Sequence, residues 1–159
     1  MPDATRAPVP PVPEHLGTVT PRLVVRNGAA AIDFYREAFG AEQLGEVHTA
    51  PDGSLIHAEV RIGTSVVMLT DESHGGPNRS PESLDGLTTA VMAMYFQDVD
   101  AAWERALAAG AEVIYPLADH FYGERGGRLR DPFGQQWMLS QRIEDVSAEE
   151  AARRMASAG

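Results

Sequence analysis

The chain has 159 residues, enough for one domain with a substantial core, and its content of 43% hydrophobic and 23% charged residues is typical of a globular protein. The formal net charge of -10 argues against a nucleic-acid partner, because such partners require a basic surface. The lack of cysteine excludes disulfides, thiolate metal ligands and a cysteine nucleophile. No apolar run approaches the roughly 18 residues of a membrane span. We therefore expect a cytoplasmic chain with no nucleic-acid or membrane partner.

The first part of the chain predicts a leader followed by one strand, one helix and three strands. Residues 1–17 contain five prolines and no apolar core of a secretory signal, so they predict a disordered leader. Apolar residues recur at helical spacing between 29 and 39, and Gly40 provides a natural end. The predicted strands flanking this helix cover residues 18–27, 43–49, 55–62 and 64–70.

A polar stretch and a second set of elements follow. Residues 71–87 are rich in glycine, proline and serine and predict a linker or a mobile flap. Asp98 can cap a second helix that ends at Gly110, and Ser147 to Glu150 has the capping-box spacing of a short C-terminal helix. The predicted strands of this half cover residues 88–97, 112–117 and 122–130, and a last strand follows a turn at Pro132 and Gly134.

The two halves repeat one another. The run AFGAE at 38–42 matches AAGAE at 108–112, and Met68-Leu69-Thr70 matches Met138-Leu139-Ser140, so both pairs share an offset of 70 residues. One offset that fits a helix end and a distant strand indicates an internal duplication of a βαβββ unit. We therefore predict an α+β fold of two tandem modules, 18–71 and 88–141, joined by a linker at 72–87. The modules would form a curved mixed sheet around a cleft, with residues 142–159 as an extension carrying a short helix.

Specific motifs within this doubled unit resemble a known superfamily. With FYREAFGAE after the first strand and RDPFGQQWML near the end, residues 18–141 resemble the vicinal oxygen chelate superfamily, which includes glyoxalase I, extradiol dioxygenases, fosfomycin-resistance enzymes and bleomycin-resistance proteins. The segments IHAEVRIGTSVVMLTDE, YGERGGRLRDPFGQQW and IEDVSAEEAARRM are similar to its PhnB-like, glyoxalase/bleomycin-resistance branch. The resemblance implies the doubled fold, a ligand cleft and a homodimer in which the cleft walls are shared.

The resemblance also implies four strand positions for a divalent metal. Carried over to this chain, they fall at Thr20 or Pro21, at Met68, at Ala90 or Val91, and at Met138. None of these is a usual ligand for a hard metal, and methionine suits only soft ions. We therefore expect no metal and no other cofactor.

A displaced site around His57 and Glu59 stays open as an alternative. The two residues stand i, i+2 on one predicted strand, so both side chains share a face, and His48 or His120 could join them as ligands. The same two residues could instead act as an acid–base pair without a metal. The blander interpretation is a hydrogen-bonded polar pair that includes Arg61 or Arg128.

The remaining candidates describe a pocket for a flat or amphipathic organic molecule. Methionine adapts to the shape of a ligand, tyrosine stacks or donates, and arginine pairs with a carboxylate or phosphate. We predict a metal-free protein that sequesters a hydrophobic or aromatic small molecule, as in antibiotic resistance of the bleomycin type. The alternative is a glyoxalase-like lyase or isomerase, or a dioxygenase. The predicted ligand-binding residues are Arg22, His57, Glu59, Met68, Tyr95, Tyr122, Arg128, Gln136 and Met138.

Overall fold

The computed structural model describes residues 8–73 and 75–157, so part of the predicted leader lies outside the described residues. Residues 8–17 contain no helix or strand. The elements in chain order are β1 (Arg22–Val25), α1 (Gly28–Phe39), β2 (Glu42–Thr49), β3 (Leu55–Ile62), β4 (Ser65–Asp71), a 3-10 helix (Pro81–Leu84), β5 (Val91–Tyr95), α2 (Val99–Ala109), β6 (Glu112–Asp119), β7 (Glu124–Arg130), β8 (Gln136–Arg142) and α3 (Ala148–Ser157).

The doubled βαβββ architecture and the C-terminal helix are confirmed. The eight strands form two separate four-stranded sheets, where the sequence analysis expected one curved sheet. The first sheet has the order β1-β4-β3-β2, and the second has the same order in the other module, β5-β8-β7-β6. In each sheet the first strand runs parallel to its neighbour and the remaining pairs are antiparallel. Both sheets are therefore mixed and repeat one topology.

Equivalent signals begin and end the two main helices. The side chains of Asn27 and Asp98 each accept a backbone hydrogen bond from the first turn of the helix that follows. Gly40 and Gly110 end the helices in the left-handed region, with φ of 66° and 115°, where glycine has no steric penalty. These glycines are the pair that the offset of 70 residues relates, so the duplication extends to the helix caps.

The two helices lie between the sheets and join the modules through one core. Tyr35 and Phe39 of α1 lie against Trp137 of β8, with ring centroids 5.3 and 4.9 Å apart, so the first module contacts the second sheet directly. Trp137 and Leu139 are buried in this core, as their alternation with Gln136 and Met138 predicts. Each sheet therefore covers the helices with one face and turns its other face, called here its outer face, away from them.

The parallel strands are shorter than predicted. β1 covers residues 22–25 instead of 18–27, and β5 covers 91–95 instead of 88–97. Both are edge strands that pair with only one neighbour. Before β5, the Thr88 side chain bonds the backbone of Ala90, which replaces strand pairing with a local turn.

The segment between the modules is anchored to the first one. Glu72 accepts hydrogen bonds from the backbone and side chain of Ser80, at 2.9 and 2.8 Å, and from the side chain of Ser83 at 2.7 Å. These bonds fix Ser80, directly before the 3-10 helix, and Ser83 within it, and Pro81 at the start of this helix is buried. Within the part of the chain that the structure describes, no helix is both long and apolar enough to cross a membrane.

Candidate functional site

The outer face of the second sheet carries most of the predicted ligand-binding residues of the second module. Strand pairing places Ala93, Met138, Arg128 and Tyr115 in one row across the sheet. Pairing also fixes the neighbouring rows, two residues away on either side, whose side chains share this face. These rows are Val91–Gln136–Arg130–Glu112 and Tyr95–Ser140–Gly126–Ala118.

Two arginines of this face, Arg128 and Arg130, have an Nε atom with no hydrogen-bond acceptor among the described residues. The Arg128 guanidinium carbon lies 5.3 Å from the centroid of the Tyr115 ring, a cation–π contact. The Nε atoms of Arg128 and Arg130 are both buried without a hydrogen-bond partner among the described residues. The nearest carboxylate to Arg130 is that of Glu112, at 3.7 Å, which is an ion pair too long for a hydrogen bond.

Tyrosines border the opposite end of this face. The Tyr95 hydroxyl donates a 2.8 Å hydrogen bond to Glu124, and this bond, together with the burial of the hydroxyl, raises the pKa of Tyr95. Burial and the nearby Glu124 carboxylate also raise the pKa of Tyr122, whose ring stacks on His120 at 5.1 Å. Both tyrosines therefore stay protonated at neutral pH and are available for stacking or hydrogen bonding.

The outer face of the first sheet holds the remaining predicted residues. Strand pairing aligns Arg22, Met68, Glu59 and Leu44 in one row. Arg22 donates to the carbonyl oxygen of Ile56 at 3.0 Å, so it braces this sheet.

His57 and Glu59 form part of a hydrogen-bonded series. One carboxylate oxygen of Glu59 lies 3.3 Å from Nε2 of His57, and the other lies 2.7 Å from Nε2 of His15 in the N-terminal segment. His48 stacks on His57 with ring centroids 6.3 Å apart. The polar pair that the sequence suggested is therefore present, but its third member is His15. The suggestion of Arg61 or Arg128 as that member is wrong.

The structure brings the predicted site residues into two groups instead of one. Arg22, His57, Glu59 and Met68 lie on the first outer face, whereas Tyr95, Arg128, Gln136 and Met138 lie on the second. The helix pair separates the sheets, so Met68 and Met138 do not face each other across a cleft within one chain. Each outer face is thus a single wall, and Tyr122 borders the second wall from the loop before β7.

The positions that the family uses for a metal do not fit a hard divalent ion. The backbone N–H of Met68 bonds the Pro21 carbonyl oxygen at 2.8 Å, which places the first and fourth strand positions side by side. Met68 offers a thioether and Pro21 a ring without a donor atom, neither of which suits a hard cation, and the alternative Thr20 offers a single hydroxyl. Among the described residues, no group of three or more histidine, aspartate or glutamate side chains is placed to hold a metal.

A buried carboxylate that the sequence analysis missed positions the hairpin of the second outer face. Asp131 accepts hydrogen bonds from the Tyr35 hydroxyl at 2.6 Å, from Nε1 of Trp137 at 2.9 Å, and from the backbone N–H groups of Phe133 and Gln135. Burial raises the pKa of Asp131, and these four bonds oppose that effect. The signal in the sequence was an aspartate directly before Pro132, because aspartate commonly bonds the backbone of a following turn.

A cavity of about 780 Å³, which the sequence did not predict, lies where β5 meets the β3–β4 turn and the residues before β1. Met92 and Met94 of β5 face it together with Phe39 and Trp137, and Thr20 lies on its other side. The alternation in Val91–Tyr95 was the available signal, because two methionines on one face of an edge strand indicate a partly open core. The volume is within the range of small-molecule pockets.

Comparisons with known proteins agree with this geometry. The family model for the Glyoxalase/Bleomycin resistance protein/Dioxygenase superfamily matches residues 14–139. The chain is 44% identical over 144 residues to the uncharacterized protein Rv0887c of Mycobacterium tuberculosis, covering 89% of this chain and 84% of that protein. It is similar to TioX from Micromonospora sp. ML1, with a TM-score of 0.60 and 25% identity over 82% of this chain and 100% of TioX. The PhnB protein from Bacillus cereus shares the fold, with a TM-score of 0.57 and 20% identity over 79% of this chain and 99% of that one.

Proposed function

Because the chain belongs to the Glyoxalase/Bleomycin resistance protein/Dioxygenase superfamily, we propose that it binds a small, planar organic molecule on its outer faces. One observation carries the proposal. The second outer face combines an adaptable Met138 with an Arg128 guanidinium that no described residue accepts from. Apolar surface with a few unpaired polar groups is the usual composition of a small-molecule site. Such a protein would sequester its ligand, which is a route to antibiotic resistance.

A second copy of the chain completes the site in this proposal. Each outer face is a single wall, since the helices hold the two faces apart. In a homodimer, the first outer face of one copy would lie opposite the second outer face of the other and enclose the ligand from both sides. Burial on both sides would add to the affinity, because it removes more apolar surface of the ligand from water.

Planar aromatic molecules provide the test of binding. We expect some members of a panel of neutral and charged naphthalene and quinoline derivatives to raise the thermal midpoint, because a ligand bound only to the native state stabilises it. Ala93→Trp places an indole on the exposed edge of the second outer face and should abolish the shifts. The matched control is Ala108→Trp, at an exposed position of α2, which should keep them. No shift with any compound, or equal shifts in Ala93→Trp, would contradict the proposal.

We propose that this protein binds its ligand without a metal. The support is the donor chemistry at Met68, Met138 and the adjacent strand positions. Elemental analysis of the purified protein, with thermal melts in chelator and in added Mn, Fe, Co, Ni and Zn, provides the test. We expect no stoichiometric metal and no shift of the midpoint. One metal per chain with a clear shift would contradict this part of the proposal and direct attention to His57 and Glu59.

A second candidate function is acid–base catalysis of the glyoxalase type. The observation that favours it is the placement of Glu59 between His57 and His15, since a carboxylate between two imidazoles orients them for proton transfer. The test is isomerisation of the hemithioacetal of methylglyoxal and glutathione. Loss of turnover in Glu59→Gln with unchanged ligand binding would favour the enzyme, whereas no turnover by the native protein would eliminate this activity.

A further inference from the structure

The second outer face contains two arginines, Arg128 and Arg130, at alternate positions of β7, so both side chains point the same way. We propose that this arginine pair binds an anionic head group, a carboxylate or phosphate, of an organic ligand whose planar body lies over the neighbouring row of small residues. The inference rests on the proposed function, because it specifies the ligand class of the same site.

The hydrogen-bond donors of Arg128 are the first support. The guanidinium makes no hydrogen bond to a described residue. It makes a cation–π contact with the Tyr115 ring, whose centroid lies 5.3 Å from the guanidinium carbon. A ring face attracts the cation but accepts none of its five N–H groups in the manner of a carboxylate. Nε of Arg128 is buried, and a buried donor without an acceptor is uncommon in folded proteins. A bound anion would provide the missing acceptors.

Arg130 repeats the pattern two residues further along. Its Nε is also buried without a hydrogen-bond partner in the described residues, and the Glu112 carboxylate stays 3.7 Å away. The Glu112 side chain is 76% exposed, so water screens this ion pair. The positive charge of Arg130 is therefore only partly neutralised.

Arg125 on the same strand provides the contrast. It points to the opposite side of the sheet and donates to both Asp100 and Asp119 at 2.7–2.9 Å. In a chain with a net charge of -10, carboxylates are plentiful partners for arginine. The two arginines of the outer face, by contrast, make no hydrogen bond to a carboxylate of the described residues, and the nearest carboxylate to Arg130 stays 3.7 Å away.

The neighbouring side chains suit an anion with a planar body. Gln136, in the same row as Arg130, makes no side-chain hydrogen bond to a described residue, so its amide is a further donor. The row beyond Arg128 contains Ser140 and Gly126, and a Cβ added to Gly126 would come within 3.0 Å of the Ser140 hydroxyl. Rows two residues apart are separated by roughly 6.5 Å. A head group at Arg128 would therefore place an aromatic ring over this small-residue floor, beside Tyr95.

The duplication identifies a competitor for Arg128. Glu59 pairs with Met68 as Arg128 pairs with Met138, so the two modules carry opposite charges at equivalent positions. In a homodimer, Glu59 of a second copy could neutralise Arg128 in place of a ligand. The experiment must therefore distinguish a ligand anion bound to Arg128 from Glu59 of a second copy.

The experiment compares three probes that share one ring system: 2-naphthoate, 2-naphthyl phosphate and the uncharged 2-naphthamide. Calorimetric titration of the full chain should show 2-naphthoate or 2-naphthyl phosphate binding at least about tenfold more tightly than 2-naphthamide, since charged hydrogen bonds are the stronger ones. Arg128→Met should remove this preference. Arg128→Lys should restore only part of it, because lysine lacks the planar fork. The control Arg36→Met, at an exposed ion pair of α1, should keep it fully.

Each contrary result has a distinct meaning. Equal binding of 2-naphthamide and both anions overturns the anion site but leaves the proposed binding function intact. If none of the three probes binds and no compound of the wider aromatic panel raises the thermal midpoint, both the anion site and the proposed binding function are ruled out. Retention of the anion preference in Arg128→Met overturns the assignment to this pair. If Arg128→Met lowers the mass in sedimentation and leaves the preference unchanged, Arg128 belongs to a subunit contact and the inference fails.

Discussion

Asp131 is the residue on which the geometry of the β7–β8 hairpin depends most. One of its carboxylate oxygens accepts from the backbone N–H groups of Phe133 and Gln135, and the other accepts from Tyr35 and Trp137. The contact with Tyr35 spans 96 residues and connects α1 of the first module to the turn of the second. This carboxylate therefore holds the turn, the core and the two modules together.

We expect Asp131→Asn to destabilise the protein by about 1–3 kcal/mol, the range for leaving a buried donor unpaired. The amide oxygen can still accept from the turn, but the amide nitrogen would face the N–H of Trp137, where two donors meet. Denaturant unfolding followed by tryptophan fluorescence measures the loss. Asp33→Asn, which affects only a surface ion pair with Arg36, should change the stability by less than about 0.5 kcal/mol. Equal stability of the two variants would contradict this account of Asp131.

At the scale of elements, the segment between β4 and β5 is held by Glu72. Its pKa is lowered to about 2, firstly by the hydrogen bond from the Ser80 backbone N–H and then by that from Ser83, with a smaller contribution from Arg26. An acid whose pKa is lower in the folded state stabilises that state at pH values above the unfolded pKa. The stabilisation is lost as the pH falls through the folded value. It is thus complete at neutral pH and declines between about pH 4.5 and pH 2.

We therefore expect Glu72→Gln to lower the thermal midpoint at pH 7 by about 2–4 °C, because the charged hydrogen bonds become neutral ones. The difference between Glu72→Gln and the native chain should shrink as the pH falls toward 2. Glu37→Gln, on the exposed side of α1, serves as the control and should show no such pH dependence. A difference that stayed constant from pH 7 to pH 2.5 would show that the Glu72 charge does not hold this segment.

At the scale of the whole molecule, the helix pair between the sheets leaves two open walls on opposite sides. The proposed homodimer predicts a mass of about 34 kDa in sedimentation, twice the 17.1 kDa of one chain. Ala93→Trp tests the geometry, because an indole on the second outer face should weaken an association that brings this face against a second copy. Ala108→Trp should leave the mass unchanged. A mass of one chain at all concentrations up to about 100 µM would rule out the shared cleft.

The sequence by itself determined the local architecture and its repetition. Apolar periodicity and cap residues identify both helices to within one residue at the ends that Gly40 and Gly110 define, because hydrogen bonds within a few residues decide them. The alternation around Trp137 and Leu139 also identified the buried face of β8, since the pleat alone places alternate side chains on opposite sides. The offset of 70 residues then revealed two copies of one unit.

Only the tertiary structure decided how the two units meet. Local patterns state which face of a strand is apolar, but the separation of Met68 from Met138 depends on helix packing between distant segments. The same holds for Glu59, whose partner His15 is 44 residues away, and for Arg128, whose Nε has no acceptor among the described residues. A partner is fixed by the balance of burial and hydrogen bonding over the whole fold, and no short stretch of sequence contains that balance.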